Sequence, residues 1–111
     1  LPFTYVEDER LRVSLYRKIA ETSSPGDVKT LRTEFKDRFG PLPKSVERLL
    51  VLSDIRIAAS ERKIDRIETR DGKIMCSRQG QYFLTAGHFP RLKKHDPDGQ
   101  LAEILAAVKK A

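Results

Sequence analysis

The chain has little of what several classes of protein require. Cys76 is its only cysteine, which excludes an internal disulfide and a cysteine-rich zinc cluster and is typical of a reducing compartment. Its apolar runs are short, as in the segment from Leu49 to Leu52, so no segment predicts a membrane span. The N-terminus also lacks the basic and then apolar layout of a signal peptide. We therefore expect a cytoplasmic protein with no membrane partner.

Catalytic and nucleotide-binding patterns are also missing. None of the six glycines lies in a G-x-x-x-x-G-K-S/T or G-x-G-x-x-G pattern, so we expect this chain neither to bind nor to hydrolyse ATP. The two histidines, His88 and His95, do not have a recognised metal-ligand spacing. Cys76 lies in a predicted hairpin, where a single cysteine is more often a small apolar residue than a nucleophile. We predict no catalytic residue, no metal site and no cofactor for this chain.

The chain does contain enough apolar material for one folded domain. Its 111 residues are 39% hydrophobic and 34% charged, a balance that predicts a single domain over residues 1–111 with a heavily charged surface. Lysine and arginine number 22 against 16 aspartate and glutamate, a formal charge of +6. That excess is compatible with a nucleic-acid partner and with an ordinary solvated surface. Because the chain begins at Leu1 rather than Met, we expect it to be a piece of a longer protein.

The first half of the chain has the period of α-helices. Leu11, Leu15 and Ile19 recur every four residues, which predicts one amphipathic helix. Ser24 followed by a proline and an acidic residue predicts the capped start of a second helix. The segment from Phe39 to Pro41 predicts its end, because Gly40 can adopt the left-handed closing conformation and proline cannot continue the helix. The three predicted helices cover residues 7–21, 25–38 and 43–62, the third being apolar on most sides and therefore central.

The second half of the chain has the period of β-strands before a final helix. The pairs Asp71-Gly72 and Gln79-Gly80 predict tight turns, which give a hairpin over residues 64–78 and a third strand over 81–85. Residues 86–99 are rich in Gly, Pro and Asp and predict a loop with one helical turn near 90–93, before a last helix over 99–109. The predicted fold class is α+β: three N-terminal helices, a small antiparallel sheet of two to three strands and a C-terminal helix.

Two acidic residues on the second helix form a candidate contact surface. Glu34 and Asp37 are three residues apart, so they occupy neighbouring positions on one helical face, turned away from the predicted core positions. Asp37 also lies in the last turn, where the helix dipole makes a negative charge mildly unfavourable. A contact with a partner is one explanation for its presence. Local compensation by Lys36 and Arg38 on an ordinary solvated face is the other.

Basic and aromatic residues occur together once, in residues 88–95. Arg91, Lys93 and Lys94 are candidates for phosphate contacts, with Phe89 available for stacking on a base. The alternative is that Phe89 and Leu92 pin the loop to the core while the basic side chains stay in water.

Three segments of the chain carry a resemblance to a known family. They are residues 9–20 (ERLRVSLYRKIA), 37–43 (DRFGPLP) and 52–58 (LSDIRIA). In order and spacing these segments resemble the C-terminal domain of the bacterial transcription-repair coupling factor, and residues 89–92 (FPRL) are a weaker echo. The element at 37–43 is the most specific, and its residues Arg38, Phe39, Gly40, Pro41 and Pro43 have a structural role by this resemblance.

The resemblance implies that the parent protein is a large ATP-dependent translocase on duplex DNA. Such a parent displaces RNA polymerase stalled at a lesion and recruits nucleotide excision repair through the damage-recognition protein UvrA. ATP and Mg²⁺ would act in motor modules upstream of this domain. The terminal domain would fold back on the parent's N-terminal UvrA-binding module and keep that surface covered, with Glu34 and Asp37 facing basic residues of the module.

Three hypotheses of different classes follow from these observations. The first is an autoinhibitory protein-interaction domain, which needs an acidic contact patch. The second is an accessory DNA-contacting module, which needs its positive charge gathered on one face. The third is a small enzyme, which needs convergent titratable groups in a pocket. We predict the first, because no convergent catalytic set is present in the sequence.

Overall fold

The structure, a computed structural model, describes residues 8–85 and 87–111. The chain divides into two compact units, and the boundary between them falls after Ile57. We call the part up to Ile57 the helical unit and the part from Ala58 onward the sheet unit. None of the helices in the described ranges is both long and apolar enough to cross a bilayer. The single-domain assignment stays a prediction that cooperative unfolding would test.

The helical unit contains α1 (Glu9–Ala20), α2 (Pro25–Phe39) and most of α3 (Lys44–Glu61). Asp8 caps α1, since its side chain accepts a hydrogen bond from the Leu11 N–H at 3.1 Å. Ser24 caps α2 by accepting from the Asp27 N–H at 3.1 Å, as the sequence predicts. The predicted bounds agree with these helices to within a residue or two, apart from residue 7, which lies outside the described residues.

The core of the helical unit is built from the periodic apolar positions of its three helices. Leu15, Phe35 and Leu50 are fully buried, one from each helix, and Phe39 packs against this cluster. The helices therefore present the apolar faces that their sequence period predicts. Leu52 on α3 is an exception, because 48% of it is exposed.

Gly40 ends α2 in a conformation that differs from the one expected. Its φ is +88°, as predicted, but its ψ of −164° places it outside the left-handed helical region. This part of conformational space is almost closed to residues other than glycine. The Gly40 N–H donates to the Lys36 carbonyl at 3.0 Å and so completes the last turn of the helix.

The sheet unit contains the end of α3, three strands and α4 (Pro97–Lys110). The strands β1 (Arg66–Arg70), β2 (Lys73–Arg78) and β3 (Gln81–Phe83) form an antiparallel sheet in the order β1-β2-β3. Both predicted turns are present, and in each of them two successive residues have positive φ, namely Asp71 and Gly72, then Gln79 and Gly80. Successive positive φ values are typical of the type I′ turns that suit the twist of a hairpin.

Two expectations about the chain after β3 were wrong. The third strand stops at Phe83 rather than at residue 85, and the predicted helical turn near 90–93 is absent. Both differences have one cause: the Ile74 N–H of β2 donates to the Pro90 carbonyl at 2.7 Å. The chain around Pro90 thereby takes the position beside β2 that the continuation of β3 would otherwise occupy. Ala86, in the predicted loop, lies outside the described residues.

The last helix begins two residues earlier than predicted, at Pro97. Asp96 is its N-cap and accepts from the Gly99 N–H at 2.7 Å, with the proline at the first helical position. An aspartate followed by proline is itself a helix-start signal. Ala107 and Val108 of α4 are buried with Ile74 and Cys76 of β2 and Ala58 of α3. The described residues form four helices and a three-stranded antiparallel sheet, and the predicted α+β fold class is confirmed.

Candidate interaction surface

The exposed face of α2 carries both acidic residues of the predicted contact. Glu34 and Asp37 line one shallow depression, and the other residues that line it are Lys29, Thr30, Thr33 and Arg38. The opposite face of the helix is buried in the core of the helical unit at Leu31 and Phe35, so helical geometry alone directs the two carboxylates outward. The structure therefore brings the two predicted residues together on one surface.

Glu34 is already engaged within the helical unit. Its Oε1 lies 3.2 Å from Lys18 Nζ on α1 and 3.4 Å from an Arg38 guanidinium nitrogen one turn further along α2. About a third of the Glu34 side chain is exposed, at 32%. Lys18 is a contact that sequence analysis missed, because no local signal reports which residue of α1 faces α2. Any partner of Glu34 would have to share its carboxylate with two cations.

Asp37 differs from Glu34 because its charge is not used inside the described structure. It is exposed, and within residues 8–85 and 87–111 its side chain makes neither an ion pair nor a hydrogen bond. The local compensation considered from the sequence does not come from Arg38, whose guanidinium pairs with Glu34 and lies 5.0 Å from the centre of the Phe39 ring. An exposed, unused carboxylate near a helix C-terminus is mildly unfavourable to its own helix. Asp37 is thus the stronger candidate for a contact with a partner.

The motif at residues 37–43 has a structural basis. Phe39 packs edge-on against Phe35 with their ring centres 6.4 Å apart, and Gly40 provides the positive φ that ends α2. The Pro43 carbonyl then accepts from the Val46 and Glu47 N–H groups in the first turn of α3. The motif is therefore the connection between α2 and α3, and only Asp37 and Arg38 of this segment line the depression.

The predicted nucleic-acid candidates lie on the sheet unit. Arg91, Lys93 and Lys94 are all exposed. The backbone N–H groups of Lys93 and Lys94 donate to the Glu103 carboxylate, which places a negative charge beside them. Leu92 packs against the core of the sheet unit, as one of the two interpretations requires. Phe89 instead makes an edge contact with the exposed Tyr82, their ring centres 6.4 Å apart.

The other residues considered for chemistry do not converge. In the part of the chain that the structure describes, no three His, Cys, Asp or Glu side chains are grouped as a metal would require. Cys76 is buried in the sheet unit, and this burial raises the pKa of its thiol. A raised pKa disfavours the thiolate, the reactive form of cysteine. Cys76 therefore belongs to the core of the sheet unit rather than to a reactive site.

Comparisons with known proteins identify relatives of the chain. Residues 1–85 match the family model described as the TRCF domain. A transcription-repair-coupling factor of Haemophilus influenzae is 34% identical over 83 residues, which are 73% of this chain and 7% of that protein. The corresponding protein of Rickettsia conorii is 34% identical over 119 residues, or 99% of this chain and 10% of that protein. The chain thus spans a tenth or less of the length of these relatives.

A solved structure has the same fold. The crystal structure of the C-terminal domain of a transcription-repair coupling factor superposes with a TM-score of 0.80 and covers 99% of this chain and 84% of its own. The two sequences are 20% identical, so the likeness concerns the fold.

Proposed function

This chain belongs to the TRCF-domain family, and from that membership we propose that it is the C-terminal, non-catalytic regulatory domain of a transcription-repair coupling factor. Its parent is then an ATP-dependent DNA translocase in the cytoplasm that displaces RNA polymerase stalled at DNA damage. The parent recruits nucleotide excision repair through UvrA. ATP and Mg²⁺ act in the parent's motor modules, and this chain uses neither.

In this proposal the domain is an autoinhibitory clamp. It contacts the parent's N-terminal UvrA-binding module and keeps UvrA away until the clamp opens. The observation that carries the proposal is Asp37, an exposed carboxylate with no partner in the described part of the chain, at a position where it weakly opposes its own helix. A basic side chain of the N-terminal module supplies the missing counter-charge through a charge-assisted hydrogen bond.

The two acidic residues have different roles in this proposal. Glu34 forms ion pairs with Lys18 on α1 and Arg38 on α2. Its carboxylate therefore links the two helices as well as facing the partner. Asp37 has only the partner contact to lose. Changing Asp37 alone should therefore open the clamp, whereas changing Glu34 also disturbs the packing of α1 against α2.

The experiment is a titration of UvrA against the full-length parent carrying Asp37→Lys. We expect tighter UvrA binding than with the wild-type parent. A fully desolvated charge contact costs about 2 to 5 kcal/mol to break and an exposed one under about 1 kcal/mol, so the size of the gain measures how buried the contact is. The melting temperature of the isolated chain should stay the same or rise slightly, because Asp37 faces away from the core and a lysine suits the last turn of the helix.

Glu9→Lys is the matched control, because it makes the same charge change at an exposed position on another helix, α1. It should leave UvrA affinity at the wild-type value. If Asp37→Lys and Glu9→Lys raise UvrA affinity equally, the effect is one of net charge and the clamp contact is refuted. If a correctly folded Asp37→Lys parent binds UvrA with unchanged affinity, Asp37 is an ordinary solvated residue and makes no clamp contact.

Contact with duplex DNA is the second candidate function. The exposed basic side chains of Arg91, Lys93 and Lys94 favour it. The Glu103 carboxylate beside them lowers the local positive potential that phosphates would meet. We expect weak binding through phosphates alone, which largely disappears at physiological salt. Sequence-selective binding that survives high salt would make DNA contact the main function.

A further inference from the structure

The sheet unit has a concave surface that the proposed function does not use. It lies between α4, the start of β2 and the segment around Pro90. Its walls carry the basic side chains of Lys73, Arg91, Lys93 and Lys110. We call this surface the basic groove.

The backbone that forms one wall of the groove is fixed by hydrogen bonds. Besides the Ile74 to Pro90 bond, the Leu92 N–H donates to the Gly72 carbonyl at 2.8 Å, so Arg91 is held between two backbone bonds to the hairpin. The Lys93 N–H donates to Glu103 on α4 at 2.8 Å. A wall held in place before binding loses little conformational entropy when a ligand arrives.

The charge in the groove is unbalanced. Four lysine and arginine side chains line it against one carboxylate, that of Glu103. That carboxylate accepts the backbone N–H groups of Lys93 and Lys94, and this bonding lowers its pKa. It therefore holds the wall together, and the residues that line the groove carry a net positive charge. An acidic ligand complements such a surface.

The floor of the groove is apolar. Ile74 and Ala107 are buried beneath it, and Ala106 and Leu84 are exposed, Leu84 to 54%. An exposed leucine on a concave surface favours a ligand with an apolar group of its own, because that group covers the leucine and releases water. Phosphates would meet the basic walls but would leave this floor uncovered. The described rings that line the groove are those of His88 and Phe89, and Phe89 is already packed against Tyr82, which leaves little ring surface for stacking on successive bases.

We propose that the basic groove is a docking site for an acidic peptide segment of a separate partner protein, with at least one large apolar side chain between its carboxylates. The carboxylates contact Arg91, Lys93 and Lys110, and the apolar side chain lies on Ala106 and Leu84. This site is on the sheet unit and is independent of Asp37, so either proposal stands if the other fails.

The test measures fluorescence anisotropy of a labelled peptide of aspartate and glutamate with a Leu-Phe pair at its centre. We expect saturable binding to the intact chain at near-physiological salt. The same peptide with Ser-Ser in place of Leu-Phe should bind about tenfold more weakly, as expected when an apolar anchor worth about 1.4 kcal/mol is lost.

Ala106→Glu places a carboxylate on the apolar floor and should abolish peptide binding. Ala102→Glu is the matched control, since Ala102 is also an exposed alanine of α4 and is not one of the lining residues. Charge reversal of Arg91 and Lys110 together, Arg91→Glu with Lys110→Glu, should also lower affinity and preserve the fold, because both side chains are exposed.

Several results would overturn the proposal. Equal affinities of the Leu-Phe and Ser-Ser peptides would mean that the groove binds negative charge and makes no contact with the apolar side chains. Direct binding of labelled duplex DNA that Ala106→Glu abolishes and Ala102→Glu preserves would assign the groove to nucleic acid. Self-association of the chain that Ala106→Glu abolishes would assign the groove to a second copy. Equal effects of Ala106→Glu and Ala102→Glu on peptide binding would place the peptide elsewhere.

Discussion

The two units differ in the size of the side chains that fill their cores. The helical unit buries a phenylalanine, Phe35, and long aliphatic residues such as Leu15 and Leu50. The sheet unit buries mostly small residues, among them Ala58, Ala107 and the cysteine at position 76, around Ile74 and Val108. Because the free energy of burial follows apolar area, the helical unit gains more from each buried position.

The sheet unit is also held by hydrogen bonds from side chains to loops. Asp65 accepts from the Ser77 hydroxyl at 2.8 Å and from the Gly80 N–H at 3.2 Å, which ties the second turn to the start of β1. Arg78 donates to the Arg62 carbonyl at 2.9 Å, and Glu103 holds the segment after Leu92. The sheet unit thus adds polar contacts through the carboxylates of Asp65 and Glu103 to a core of smaller side chains.

The largest expected effect is on the packing of the helical unit. Phe35→Ala should destabilise the chain by about 3 to 5 kcal/mol, because the cavity forms at a fully buried aromatic position. Chemical denaturation followed by circular dichroism measures the loss. Val13→Ala on α1 is the control and should change stability by less than about 0.5 kcal/mol, since Val13 is 53% exposed. Ile74→Val in the sheet unit should destabilise the chain by about 1 kcal/mol. If Phe35→Ala destabilises the chain by less than Ile74→Val does, the helical unit does not gain more from each buried position.

A smaller effect is expected at the end of α2. Gly40→Ala should destabilise by about 1 to 3 kcal/mol, because alanine is strained at a φ of +88° and a ψ of −164°. A Cβ at Gly40 would have no atom within 4 Å, so the whole cost is backbone strain and not a clash.

Gly26→Ala at the start of the same helix is its matched control. There a Cβ would meet only the Ser24 hydroxyl at 3.7 Å, and the backbone φ is not positive. Alanine at this position should stabilise the chain by up to about 1 kcal/mol. If Gly40→Ala and Gly26→Ala melt at the same temperature, a side chain at position 40 causes no backbone strain.

The smallest effect is the response of the sheet unit to acid. The Ser77 hydroxyl lowers the pKa of Asp65 below its ordinary 3.8, and the Lys93 N–H lowers the pKa of Glu103 below 4.5. A carboxylate with a lowered pKa stabilises the fold fully above its ordinary pKa, and this contribution is lost as pH falls through the lowered value. We therefore expect the backbone amides of residues 92–94 to lose protection from hydrogen exchange as the pH drops below about 4.

Glu103→Gln tests the origin of that acid response. The variant keeps the shape of the side chain and removes the titrating group, so the protection of residues 92–94 should become nearly independent of pH in this range. Amides in the core of the helical unit, such as that of Phe35, serve as the internal reference. Loss of protection in Phe35 at the same pH as in Lys93 would show that the two units respond to acid alike.

Local signals in the sequence account for most of the fold. The N-cap at Ser24 and the turns at Asp71-Gly72 and Gln79-Gly80 depend on contacts with the neighbouring backbone. They can therefore be predicted from a few consecutive residues. The helical turn expected near Pro90 was wrong because a hydrogen bond from Ile74, a residue distant in sequence, decided that segment. The early start of α4 was readable from Asp96 and Pro97 and was overlooked.

The surface residues divide in the same way. That Glu34 and Asp37 share one exposed face follows from the helical period and was determined by the sequence. That Glu34 is paired with Lys18 while Asp37 stays without a partner depends on how α1 packs on α2, which only the tertiary structure decides. The basic groove is a tertiary feature as well, since Lys73, Arg91 and Lys110 meet only after the Pro90 segment pairs with β2. Periods and turns act over a few residues along the chain, whereas ion pairs and grooves require residues that only packing brings together.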